Sequence, residues 1–171
     1  MLCDQVAASW ELDTAVRDLF AWAADLHEMG LAISHSRYQD HSAYLLRQSD
    51  MAGFSRLEQR FMAFLAAYHR RSIDDTWHED VPRRLHQAAA RVLVILRLAV
   101  ILHRSRSHRQ IPEIQLLVNS KNDQKANELH FHIDLEWLTQ RPLVAQDLRQ
   151  ERQLLKPLDI HLKTLDLIVN E

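Results

Sequence analysis

Residues 26–46 read LHEMGLAISHSRYQDHSAYLL, and this stretch decides how the rest of the chain is interpreted. An apolar pattern with helical spacing leads into it, and Gly30 is expected to end or loosen that helix. The Ser- and His-rich part that follows predicts a loop before a second, shorter helix. The chain has eleven histidines, and four of them stand in a suggestive order in and beyond this stretch: His27, His35, His41 and His69.

A histidine followed by a carboxylate and then a glycine at a helix end resembles the core of the HD metal-dependent phosphohydrolases. Those enzymes hold divalent metals with imidazole and carboxylate ligands from separate helices: an early His, a His-Asp pair and a later Asp. Here no histidine precedes His27, Glu28 replaces the Asp of the pair, and Val100 stands where the later Asp would fall. We therefore expect a degenerate HD pocket with no metal, formed by His27, Glu28, His69, Arg97 and Val100.

Helices are predicted for most of the first hundred residues. The whole chain has only two glycines and four prolines, so long regular elements should dominate. Asp13 is a candidate N-cap, and Ser55 with Glu58 forms a capping-box pattern. The apolar spacing then predicts a helix remnant over 2–10 and helices over 13–26, 38–46, 55–68 and 82–103.

The last of these helices is apolar nearly all round and should be central and buried. Its most apolar run, residues 92–102, is interrupted by Arg97 and is expected to be too short to span a bilayer. A buried arginine must be paired, because an isolated charge in an apolar interior is very costly. Glu28 is the first candidate for its partner and Asp25 the second.

The pattern changes after residue 109. Alternating apolar residues predict strands over 114–118, 129–133 and 158–162, with helices over 134–140 and 142–156. The fold class that follows is mainly α, with an HD-hydrolase-like helical domain over 1–109. A small α/β subdomain with about three strands is expected over 110–171. The first helix of the HD-like domain is expected to be truncated.

Charge is unevenly distributed along a chain whose net charge is −2. Residues 1–80 carry −6, residues 81–125 carry +7 and residues 126–171 carry −3. The basic segment in the middle of the chain can attract a polyanion, although solvated arginines at helix ends would give the same net charge. Cys3 is the single cysteine, which excludes an internal disulfide, and acidic residues near the N-terminus do not fit a signal peptide. We expect a cytoplasmic protein without a membrane span.

Six short motifs extend the comparison beyond the HD pattern. They are His27-Glu28-x-Gly30, Ser34-His35-Ser36, His41-Ser42-Ala43-Tyr44, Ser49-Asp50-x-x-Gly53-Phe54, Tyr68-His69-Arg70-Arg71 and Leu96-Arg97-Leu98. Together they resemble the C-terminal domain of the exopolyphosphatase / guanosine pentaphosphate phosphohydrolase (Ppx/GppA) family, and the resemblance covers nearly the whole chain.

The resemblance implies a hydrolase family whose actin-like N-terminal region carries the Mg-dependent carboxylates and glycine-rich phosphate loops. That region removes the terminal phosphate of polyphosphate or the 5′ phosphate of guanosine pentaphosphate. The C-terminal helical domain helps to bind the polyanion and contributes to dimer contacts. This chain has no glycine-rich loop, so we expect it not to be catalytic alone and to need no cofactor of its own.

The expected ligand is polyphosphate or guanosine pentaphosphate, and the expected partner is a second copy of the chain. No sequence-specific nucleic acid is expected. Two alternatives stay open: a free-standing HD-type metal phosphohydrolase, and a pure dimerisation or interaction module. The candidate polyanion-binding residues are His35, Arg37, His41, Arg70 and Arg71. A solvated surface without a ligand explains these residues equally well.

Overall fold

The computed structural model of the protein describes residues 2–104, 111–118 and 127–164. These residues form two compact units, one made of residues 12–97 and the other of residues 1–11 with 98–171 as far as they are described. The domain boundary expected after residue 109 lies outside the described residues. The prediction of a mainly helical chain with a small three-stranded α/β part is confirmed.

The described helices and strands follow the sequence pattern closely. The helices are α1 Leu2–Ala7, α2 Thr14–Leu26, α3 Tyr38–Gln48, α4 Arg56–Tyr68, α5 His86–His103, α6 Leu135–Thr139 and α7 Pro142–Leu154. The strands are β1 Gln115–Val118, β2 Glu128–His132 and β3 His161–Thr164. Short 3-10 turns cover Met29–Ala32, Trp77–Glu79, Arg83–Leu85 and Lys156–Leu158.

Local capping explains where two helices of the first unit begin. The Asp13 side chain accepts a hydrogen bond from the backbone amide of Val16 at 2.7 Å, which starts α2. Ser55 and Glu58 exchange side-chain and backbone hydrogen bonds in a complete capping box at the start of α4. Both caps are as predicted, because each depends only on residues three apart in the sequence.

The core of the unit formed by residues 12–97 lies along α4 and α5. Residues 61–66 of α4 are all buried, and so are residues 89–98 of α5. The prediction that α5 is buried is therefore confirmed for residues 89–98. The segment Arg83–His103 has 21 residues and a mean hydropathy of 1.8, so length and composition alone would allow it to cross a membrane. Of that apolar window, 61% is buried inside the protein, as in the core helix of a globular unit. The expectation of no membrane span stays a prediction.

Gly30 has a different role from the predicted helix end. Helix α2 already ends at Leu26, and Gly30 lies in the following 3-10 turn, where its amide donates to the Ser42 hydroxyl at 2.8 Å. A Cβ atom built on Gly30 would lie 2.1 Å from the carbonyl oxygen of Tyr38 and 2.5 Å from the Ser42 nitrogen. Only glycine allows the turn to lie this close to the first turns of α3.

The second unit is built on a mixed sheet of strand order β1-β2-β3. Strands β1 and β2 are antiparallel with Leu116 opposite Phe131, and β2 and β3 are parallel with Leu129 opposite Leu162. These four side chains are buried. The amide group of Gln5 on α1 donates to the Ile114 carbonyl at 2.9 Å and accepts from the Leu116 amide at 2.7 Å. It thereby satisfies backbone groups at the outer edge of β1.

The third strand begins later than the alternation of residues 158–162 predicts. Pro157 lies in a 3-10 turn, and Asp159 adopts a left-handed conformation with φ of 54°. A residue in that conformation cannot continue an extended strand, so β3 starts at His161. The predicted third strand is confirmed, but its predicted start at residue 158 is wrong because this turn precedes it.

Candidate functional site

A cavity of about 510 Å³ opens in the unit formed by residues 12–97. Its walls come from α3 and the residue before it, from the end of α4 and the turn that follows it, and from Asp80 further along the chain. Arginines are the most frequent residue in its lining, which consists of Arg37, Gln39, Asp40, Ala43, Tyr44, Arg47, Gln48, Ala67, Tyr68, Arg70, Arg71, Ser72 and Asp80. We call this the arginine cavity.

Two of its four arginines are paired with carboxylates in the same lining. Nε of Arg37 lies 2.5 Å from an oxygen of Asp40, and Nη2 of Arg47 lies 2.7 Å from an oxygen of Asp80. The first pair is exposed and the second is about one-third exposed, so each contributes little to stability. Both arginines nevertheless already have a carboxylate partner within the lining.

The other two arginines follow directly after α4. The guanidinium of Arg70 lies over the ring of Tyr38, 4.9 Å from its centroid. Arg71 adopts the left-handed conformation with φ of 63°. Within the described parts of the chain, neither Arg70 nor Arg71 forms an ion pair with a carboxylate. Four guanidinium groups and two carboxylates leave the lining with an excess of two positive charges.

The buried side chain of Arg97 contacts the backbone of the turn that follows α4. Arg97 on α5 is only 2% exposed, and its guanidinium donates to the Tyr68 carbonyl at 2.5 Å and to the Arg71 carbonyl at 2.8 Å. Main-chain oxygens thus accept hydrogen bonds from this buried guanidinium. The sequence did not suggest these acceptors. Its ion pair with Glu28 stays a prediction.

His69 is the most perturbed ionisable group of the site. It is 1% exposed, and its Nδ1 lies 2.7 Å from the carbonyl of Ala66. Burial lowers the pKa of His69 to about 3, because the imidazolium form loses its hydration. The carbonyl of Ala66 opposes this shift, while positive groups nearby add to it. His69 is therefore neutral at physiological pH.

Two residues of the expected HD pocket, His27 and His69, are in contact. The rings of His27 and His69 meet edge to face, with centroids 4.8 Å apart, and Nδ1 of His27 donates to the Ala24 carbonyl at 2.6 Å. Val100 belongs to the other compact unit. Among the residues that the structure describes, no group of three or more His, Cys, Asp or Glu side chains is arranged to hold a metal ion.

Three of the five predicted polyanion-binding residues meet in the arginine cavity: Arg37, Arg70 and Arg71. The other two, the exposed His35 and the half-buried His41, are not among its lining residues.

Arg47 is the functional candidate that sequence reasoning missed. Residues 37, 40, 44 and 47 recur at intervals of three or four, which places them on one face of a helix. That spacing, together with the charges of Arg37, Asp40 and Arg47, was the available signal.

The family of the chain follows from a comparison with protein-family models. The model described as Ppx/GppA phosphatase, domain III, matches residues 1–152. The chain belongs to the Ppx/GppA phosphatase family. Residues 12–97 lie wholly inside the matched part of this domain III, so the arginine cavity is a feature of the matched region. The resemblance drawn from the six motifs is confirmed.

Proposed function

We propose that this domain III binds a phosphate polyanion, polyphosphate or guanosine pentaphosphate, in the arginine cavity. The observation that supports the proposal is the convergence of Arg37, Arg47, Arg70 and Arg71 on one cavity of about 510 Å³. Guanidinium groups suit such a ligand because their planar forks donate two parallel hydrogen bonds to phosphate oxygens.

The two pairs of arginines differ in whether a carboxylate already contacts them. Arg70 and Arg71 have no carboxylate partner within the described residues, so a phosphate group meets them without displacing an ion pair. Arg37 and Arg47 already contact Asp40 and Asp80, so a phosphate group must compete for them. We infer that Arg70 and Arg71 make the first contacts and that Arg37 and Arg47 extend them along the chain of phosphates.

The proposal is tested by titrating the purified chain with polyphosphate in a calorimeter. Arg70→Ala with Arg71→Ala should weaken binding about 100-fold, because each charge-assisted hydrogen bond contributes roughly 1.5 kcal/mol. A matched control exists in Arg83→Ala with Arg84→Ala, which removes two adjacent exposed arginines outside the cavity. The proposal fails if the unaltered chain does not bind polyphosphate, or if both double variants lose affinity equally.

A homodimer is a second candidate role, and one observation favours it. Leu135 and Leu143 lie in the first turns of the neighbouring helices α6 and α7 and are 50% and 72% exposed. Large exposed apolar side chains are common at contacts with another protein, and these two lie at the starts of helices that are consecutive in the chain. Sedimentation equilibrium of the chain and of Leu143→Glu tests this role: a dimer that the glutamate dissociates supports it, and a monomer at all concentrations refutes it.

A further inference from the structure

The turn that carries Arg70 and Arg71 is short and irregular. Helix α4 ends at Tyr68, His69 still has a helical backbone, and Arg71 has the left-handed φ of 63°. Connecting segments are more mobile than the helices they join, so a turn of this kind does not by itself fix two long side chains. Something outside the turn must therefore fix its path if both arginines are to point reproducibly into the cavity.

Arg97 meets this requirement. Its two terminal nitrogens donate to the carbonyls of Tyr68 and Arg71, which bracket Arg70 on either side. The guanidinium is planar and rigid, so the separation of its two terminal nitrogens sets the separation of the two carbonyls. A simple helix cap would explain the bond to Tyr68, the last residue of α4, but not the bond to Arg71, which lies beyond the helix.

A second contact supports the turn from the side of α3. Nε2 of His69 lies 3.2 Å from the Tyr38 hydroxyl, and the Tyr38 ring lies beneath the guanidinium of Arg70. The backbone of the turn is thus held by α5, and one of its side chains is supported by α3.

We propose that Arg97 is a positioning residue for the arginine cavity: it fixes the 68–71 turn so that Arg70 and Arg71 meet phosphate together. The inference rests on the proposed function, because it assigns a role within the same site. Arg97 does not itself line the cavity and acts through the backbone of the turn.

The test compares Arg97→Lys with the unaltered chain in polyphosphate titrations well below the unfolding temperature. Lysine keeps the charge but cannot span two carbonyls with one rigid fork. We expect a roughly tenfold loss of affinity, because Arg70 and Arg71 then have to be ordered during binding. The control is Ile95→Ala, which removes a buried side chain from the same helix two residues before Arg97, so it projects from a different face of α5. This control should leave the affinity for polyphosphate unchanged, even if it lowers the unfolding temperature more than Arg97→Lys does.

A double-mutant cycle separates positioning from a general structural role. In the chain that already carries Arg70→Ala and Arg71→Ala, adding Arg97→Lys should cause no further loss of affinity, because its effect passes through those two side chains. An additive loss would overturn the proposal, and so would an Arg97→Lys chain that binds as tightly as the unaltered one. If the unaltered chain does not bind polyphosphate at all, the proposed function itself fails, which is a distinct result.

A measurement on the unaltered chain covers the case in which Arg97→Lys does not fold. Backbone NMR order parameters of residues 69–71 should be about 0.85, equal to those of α4, if the fork holds the turn. Values below about 0.6 would show a mobile turn and overturn the positioning role.

Discussion

The hydroxyl of Tyr38 donates a hydrogen bond to Nε2 of His69 across a distance of 3.2 Å. Nδ1 of the same ring lies 2.7 Å from the Ala66 carbonyl, so it carries the ring proton and donates it. Both nitrogens of a buried imidazole are therefore used, one as a donor and one as an acceptor. This arrangement ties α3 to the end of α4 next to the arginine cavity, and it requires the neutral ring.

The neutral state of His69 predicts a loss of stability in acid. Burial first, and then the charges of His27, Arg70 and Arg97, lower the pKa of His69 to about 3, while the Ala66 carbonyl opposes the shift. The unfolded chain binds this proton below a pH of about 6.5, whereas the folded chain does not until about pH 3. The stability is therefore complete above about pH 6.5 and falls by roughly 1.4 kcal/mol per pH unit as the pH drops towards 3.

Urea unfolding between pH 7 and pH 4 measures this slope. In His69→Gln the titrating group is gone, so its contribution to the pH dependence should disappear although the protein is less stable at pH 7. An equal slope in the two proteins would show that His69 is not the group responsible.

The close contact of Gly30 predicts that alanine is poorly tolerated there. The added methyl group would meet the backbone of Tyr38 and Ser42, neither of which can move without shifting α3. We expect Gly30→Ala to lower the free energy of unfolding by at least about 2 kcal/mol. The comparison is Gly53→Ala, where φ is 94° and nothing lies within 4 Å, so only the left-handed backbone costs about 1 kcal/mol. Equal losses would contradict the packing role of Gly30.

The left-handed backbone of Arg71 predicts opposite effects on stability and binding. Glycine adopts a φ of 63° without strain, so Arg71→Gly should increase the free energy of unfolding by up to about 1 kcal/mol. It also removes one of the two arginines that have no carboxylate partner in the described chain, so polyphosphate affinity should fall about tenfold. Thermal unfolding and titration calorimetry on the same preparation measure both effects. A variant that binds as tightly as the unaltered chain would remove Arg71 from the site.

The ion pair between Arg47 and Asp80 predicts a variant that binds more tightly. Both side chains are about one-third exposed, at 35% and 33%, so the pair contributes less than about 1 kcal/mol to stability. Asp80→Asn frees Arg47 for phosphate and raises the excess positive charge of the cavity lining from two to three. We expect about fivefold tighter polyphosphate binding and little change in stability. Weaker binding would mean that Asp80 holds Arg47 in its productive position and does not compete with the ligand.

Local features of this fold could be predicted from the sequence, and non-local ones could not. The caps at Asp13 and Ser55 depend on residues three positions away, and their side chains bond as expected. The acceptors of Arg97 lie 29 and 26 residues away, and no pattern in the sequence connects them. The burial of Arg97 predicted that it needs partners, but main-chain acceptors are the same at every residue, so the carbonyls of Tyr68 and Arg71 could not be named from the sequence.

Which of the candidate residues line the arginine cavity also depends on non-local structure. Arg37, Arg70 and Arg71 were selected from their charge and from the loops that hold them, and the fold brings them to one cavity. His35 and His41 were selected on the same basis, but they do not line it. Which side chains of a cluster face a cavity depends on the path of the backbone between them. Part of that path is the left-handed backbone conformation of Arg37, the residue before α3, which amino-acid composition does not predict.

The salt dependence of polyphosphate binding tests the central claim most directly, since it counts the charges that meet the ligand. The slope of log affinity against log salt should be strongly negative for the unaltered chain and shallower by about 2 for Arg70→Ala with Arg71→Ala, by analogy with counterion release from other polyanions. The Arg83→Ala, Arg84→Ala chain should keep the slope of the unaltered protein. Binding that is absent, or a slope that the Arg70 and Arg71 substitutions leave unchanged, would contradict a phosphate site in the arginine cavity.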